Sequence, residues 1–133
     1  PKIKIKLIRN PYLDSIKKIR NKKNKRILFV SDNYDDFYNK KGVDFFILKK
    51  FLNYLDRRNS KNLLRKIYLK LHPSEKKNKY SNFNFKNVKI QIIFNKKLFK
   101  LIKNFGTVVG HQSMALVVAK SFGLKTICVK NLY

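Results

Sequence analysis

Tryptophan is absent, cysteine occurs once, and the 133 residues include only four glycines, three prolines and seven acidic side chains. One cysteine, Cys128, rules out a disulfide framework and any zinc-ligand spacing. Its place inside an apolar strand pattern predicts a small buried hydrophobe. No apolar run approaches the roughly 20 residues that a membrane-spanning helix needs, and no signal peptide is visible. There is no internal repeat and no low-complexity domain. A reducing cytoplasm fits best, with peripheral contact to the inner face of an anionic membrane left open.

What is abundant is lysine. Lys plus Arg number 33 against seven Asp plus Glu, a net charge of +26, and 44% of the residues are hydrophobic. Such a charge points first to nucleic acid or lipid headgroups. The lysines, however, run along the whole chain among many Asn, Ile and Phe, as A+T-rich codon bias would produce, whereas a nucleic-acid binder concentrates its cations on one element. Nucleic acid is therefore not the expected partner. The apolar content suits one globular domain.

The most informative stretch is 107–129. Thr107-Val108-Val109 reads as a strand that ends at Gly110, and Ser113 is placed to cap an apolar helix. Gly123 stops that helix before a second strand through Ile127 and Cys128. This is a βαβ crossover, whose helix N-terminus offers free N–H groups to phosphate. A phosphate or nucleotide site is expected at Gly110, His111, Gln112, Ser113 and Met114.

Upstream, residues 1–25 combine a short alternating run, Asn10-Pro11-Tyr12 and a lysine-rich segment, and are expected to be the end of a preceding domain with its linker. A continuous apolar strand follows at 26–31, then a polar loop from Asp32 to about Gly42. Four acidic residues, Asp32, Asp35, Asp36 and Asp44, fall in or just after it. Such a cluster suits either a metal site or Asp side chains that cap turns, and capping needs nothing extra; no metal is expected. Phe45, Leu48, Phe51, Leu52 and Leu55 recur at helical spacing over 43–58. A strand over 65–71 runs into His72-Pro73-Ser74-Glu75, where Pro73 ends the ladder and leaves His72 at the strand's C-terminal edge. Residues 76–87 read as an Asn/Lys-rich loop. A half-exposed strand near a sheet edge is expected at 88–93, and a helix marked by Leu98, Leu101, Ile102 and Phe105 ends at Gly106.

The pattern is a doubly wound, Rossmann-like α/β sandwich with a mostly parallel sheet over 26–133. The chain's two histidines, His72 and His111, and its single glutamate, Glu75, then lie just beyond the C-terminal ends of strands, where an open sheet binds its ligand. Ser31 and Asp32 close the first strand at the same edge. The opening Ile27-Leu28-Phe29-Val30-Ser31-Asp32 also resembles a phosphorelay receiver, but the third strand is followed by Asn95 where the phosphoacceptor Asp should stand.

A strand ending in His72-Pro73, followed by a strand, a glycine turn with Ser113, an apolar helix and Gly123, resembles the C-terminal nucleotide-sugar-binding half of GT-B glycosyltransferases. It looks most similar to the sialyltransferase-like enzymes of bacterial surface polysaccharides. The resemblance implies that His72 is the catalytic residue at the donor phosphate and that Ser113 supplies a phosphate-binding hydroxyl. Pro73, Ser74, Glu75 and the residues of both motifs would line the nucleotide. Val118 stands where related UDP-sugar enzymes carry a ribose-holding Glu, which favours a CMP-linked donor. No cofactor beyond that donor substrate is implied; the acceptor would be a glycan or lipid-linked glycan, and an N-terminal domain would supply the general base. The alternatives are a CDP-alcohol phosphotransferase of surface-polymer synthesis and a non-catalytic basic module that binds nucleic acid or membrane.

Overall fold

The computed structural model describes residues 25–59 and 63–132, so the expected linker in residues 1–25 lies, apart from Lys25, outside the described residues. The described chain forms a parallel five-stranded sheet in the order β3-β2-β1-β4-β5. The strands are β1 (Ile27–Val30), β2 (Arg65–Lys70), β3 (Val88–Ile93), β4 (Thr107–Gly110) and β5 (Lys125–Cys128). Between them run the helices α1 (Tyr34–Phe37), α2 (Val43–Arg57), α3 (Leu98–Leu101) and α4 (Met114–Ser121). This is the α/β Rossmann-like arrangement expected from the sequence. Among the described residues no helix is long and apolar enough to cross a membrane.

Alternation along the strands divides the core into two layers. Phe29, Ile67, Leu69 and Val109 face α2, whose Ile47, Leu48, Phe51, Leu52 and Leu55 are buried. Each such side chain, removed from water, contributes about 1.5–3 kcal/mol. Phe45 leaves the predicted stripe: it is 38% exposed and packs instead on Tyr80 and Phe83, with Ile47 turned inward in its place. On the other face Leu28, Val30 and Val108 meet Ile102, Phe105, Ala115, Ala119 and Phe122. The helix expected to end at Gly106 is only one α-turn, α3, continued as a 3-10 turn over Ile102–Asn104. Ile102 and Phe105 are buried all the same, so the anchoring survives without a full helix.

The crossover β4–α4–β5 follows its punctuation. Ser113 has extended backbone angles and its Oγ accepts from the Ala115 N–H at 3.0 Å, a side-chain N-cap. Gly123, at φ +81°, takes the left-handed corner that ends the helix. Gly110 serves a different end: a Cβ there would lie 3.1 Å from the Ser113 Cβ, so a larger residue would push the capping Ser113 outward by a few tenths of an ångström. β3 pairs only with β2 and stands at the sheet edge, in keeping with its partly exposed alternation.

Candidate functional site

Successive connections run outward from β1 to β2 and β3, and then return to β4 on the other side of β1. Strand order therefore reverses between β1 and β4, which opens a crevice at their C-terminal ends. Three segments border it: Ser31, Asp32 and Asn33 after β1, His72 to Glu75 after β2, and His111 to Ser113 after β4. The fold thus gathers the sequence-selected residues at one edge, but it gives them different tasks.

Glu75 is the hub of the β2 side. It is 6% exposed, in a tight turn rather than a helix, and both carboxylate oxygens are occupied. Oε1 accepts from the His72 backbone N–H at 2.8 Å; Oε2 accepts from the Ser31 hydroxyl at 2.8 Å and from Lys79 Nζ at 2.6 Å. Because Ser31 spends its proton on Glu75, the Tyr80 hydroxyl 2.8 Å away must donate to Ser31. Burial, with Glu75 and Asp44 nearby, pushes the Tyr80 phenol far above its ordinary value despite that Ser31 bond, so the hydroxyl keeps its proton. Ser31 and Glu75, expected among the nucleotide contacts, are buried braces that hold the His72 main chain.

The His72 ring is held separately. Its Nδ1 accepts from the Ser74 N–H at 3.1 Å and lies 2.7 Å from Ser74 Oγ. Asn33 Nδ2 donates to that Oγ at 2.7 Å and to Asp36 Oδ2 at 2.8 Å. Asn33 reaches this position from a left-handed backbone (φ 56°) just before α1, and it is buried. Pro73 and Ser74 are exposed at the rim.

Asp32 lies between the motifs. Burial raises its carboxyl above the usual range, opposed by a hydrogen bond with the Ser113 side chain and by His72, and reinforced by Asp44 and Glu75. Its Oδ2 is buried without a hydrogen-bond partner among the described residues. Lys70, the last residue of β2, is half-buried; burial lowers its pKa while the charges of Asp32 and Glu75 act to raise it. It places a cation beside the crevice that strand patterning alone did not single out.

The β4 side is built from rings and backbone. Tyr34 meets His111 edge-on at 5.4 Å and stacks on Tyr38 at 6.0 Å, and its hydroxyl accepts from the Gln112 N–H at 3.3 Å. Burial, with Asp32 next, raises the Tyr34 phenol to about 12. Burial and then Lys130 lower the His111 pKa, only partly offset by Asp32. Met114 is exposed, while Ser113 is buried by its capping role. With Ala115 N on Ser113 Oγ and Leu116 N on Ser113 O, the first turn of α4 is largely satisfied from within. Cys128 is only partly buried, not a core residue as its pattern suggested, and its thiol donates to the His111 carbonyl at 3.4 Å.

The acidic loop is tied up by backbone and lysine. Asp44, 3% exposed, accepts from the Tyr34 and Asp35 N–H groups, and Asp35 accepts from the Asp44 N–H. Lys79 Nζ reaches Asp44 at 2.6 Å as well as Glu75. Burial alone would raise the Asp35 pKa, but the Asp44 N–H and Lys79 bring it below the usual range. Among the described residues no group of three or more His, Cys, Asp or Glu is arranged to hold a metal. Beside the crevice, between this loop and the turn after β2, is a cleft of about 450 Å³ lined by Asn33, Lys41, Phe45, Ser74 and Lys76 among others.

Asn33, Lys70, Lys79 and Tyr80 all bear on the site without a motif to announce them. No family model, curated protein or solved structure matches the chain.

Proposed function

We propose that the chain is the donor-nucleotide-binding part of a glycosyltransferase, one that moves a sugar from a nucleotide donor, CMP-linked and sialic-acid-like, to a surface glycan. The observation that carries this reading is the His72 ring, fixed through Nδ1 at the C-terminal edge of β2, beside a crevice with Lys70 on its flank. Among the described residues nothing bonds its Nε2, which is left to a ligand. Cleavage of a glycosyl phosphate sends the bonding electron pair to a phosphate oxygen while positive charge grows on the sugar. A fixed donor and a nearby cation stabilise that growing anion. Phosphate is better served from the β2 side than from the start of α4, where Asp32 and Ser113 already occupy the helix end.

Calorimetric titration with CMP, CDP and UDP at moderate salt, beside His72→Ala, tests the reading. Selective cytidine-nucleotide binding that weakens about tenfold or more in the variant supports it, since a hydrogen bond to a charged group contributes about 1.5–3 kcal/mol. Equal binding of all anions, removed by salt and indifferent to His72, would replace it with a basic module for nucleic acid or membrane. Donor turnover by the chain joined to its general-base domain separates sugar transfer from CDP-alcohol phosphotransfer.

A further inference from the structure

We infer that Asn33 is a positioning residue that, by anchoring Ser74 against the His72 ring, sets the tautomer of the neutral ring, with its proton on Nε2 and turned to the ligand. Hydrogen-bond directions support this. The Asp36 carboxylate can only accept, so the Asn33 side chain must present Nδ2 to it, and the second Nδ2 hydrogen goes to Ser74 Oγ. Asn33 thereby anchors Oγ, which stays 2.7 Å from His72 Nδ1 with its hydroxyl hydrogen free to turn toward that nitrogen. The Ser74 backbone N–H donates to the same nitrogen. Nδ1 thus faces the fixed Ser74 N–H, and a proton on it would meet that hydrogen. The ring proton is left on Nε2.

A neutral imidazole does not surrender its remaining N–H proton near neutral pH, so it acts as a preorganised electrophile, the role known for a neutral histidine in other active sites. The ligand atom it suits is an anionic oxygen with no hydrogen of its own, such as a phosphate oxygen. That last step rests on the proposed donor site; the tautomer itself does not.

The test is nitrogen-15 NMR of the labelled chain at about pH 8, where an unperturbed histidine is neutral, with CMP titrated into each sample. Wild-type His72 should show a protonated Nε2 and a bare Nδ1. Asn33→Gly keeps the left-handed corner but removes the amide, and should give a tautomer mixture together with CMP binding weakened roughly three- to tenfold. Asn33→Asp puts an acceptor beside Ser74 Oγ, frees that oxygen to accept, and should move the proton toward Nδ1. A protonated Nδ1 in the wild type, or His72 nitrogen signals unchanged in Asn33→Gly, overturns the inference. The expected tautomers without CMP binding would uphold Asn33 as positioner of His72 and remove the glycosyltransferase reading instead.

Discussion

The two histidines sit at equivalent places, each just past a parallel strand at the same edge of the sheet, yet they are held by different physics. His72 has its main chain on Glu75 and its ring on Ser74, a set of directional bonds that traces back to Ser31, Tyr80, Lys79 and Asn33. His111 meets the Tyr34 ring edge-on, its carbonyl accepts from the Cys128 thiol, and burial with Lys130 lowers its pKa. Ring contacts fix a neighbourhood, whereas hydrogen bonds fix which atom carries a proton. The β2 end is therefore the place where chemistry can be aimed, and the β4 end supplies a wall.

Five variants and one titration sharpen or break that contrast. The largest effect should come from Glu75→Ala. It deprives Ser31, Lys79 and the His72 N–H of their acceptor in a buried site, and should lower the unfolding free energy in urea by about 3 kcal/mol. On the β4 side Ser113→Ala removes one helix cap, and about 1 kcal/mol is expected in the same assay. Equal losses would mean that the β2 network is no more than a cap.

Next comes a change of sign. Asp32 has its folded pKa raised, so the folded state binds the proton more tightly than the unfolded one, and Asp32 detracts from stability as pH rises from the ordinary carboxylate value through the raised one. Asp32→Asn should raise the melting temperature at pH 7 and lose that advantage near pH 3. Asp35, with its pKa lowered, gives stability that is present above the ordinary carboxylate value and lost as pH falls through the lowered one, so Asp35→Asn should destabilise at pH 7. The smallest effect is the titration of His111 itself. Its NMR midpoint should fall below the usual histidine value, and His111→Gln should change stability only slightly. A midpoint above that value would contradict the wall of rings and Lys130 around it.

The sheet was legible because each strand and its stop share a local pattern: continuous apolar runs for buried β1 and β4, alternation for edge strand β3, and glycine or proline at the ends. The residue edge of the site was legible for the same reason, since His72 and His111 each follow a strand. What could not be read was partnership. Lys79 and Tyr80 lie in a stretch that composition marks as loop, and they matter only because the fold brings them to Glu75, Asp44 and Ser31. Asn33 acts on Ser74 across 41 positions of chain, through a backbone conformation that no spacing rule indicates. Phe45 and Cys128 missed their expected depth because periodicity names a face and not how far the neighbouring elements cover it.

One feature of the turns reaches back to the scarcity of glycine. Among the described residues, the non-glycine residues with positive φ are Asn33, Asn39, Asn87 and Asn95, asparagines throughout. Asparagine is the side chain that tolerates the left-handed region best, and its codons are rich in A and T where those of glycine are rich in G. A genome drifting toward A+T can exchange one for the other at a sharp corner without unmaking the corner. Asparagine carries an amide that glycine lacks, and at Asn33 that amide lies against Ser74 and Asp36. An asparagine at such a corner therefore does two things at once: its backbone makes the bend, and its side chain adds hydrogen bonds that a glycine there could not.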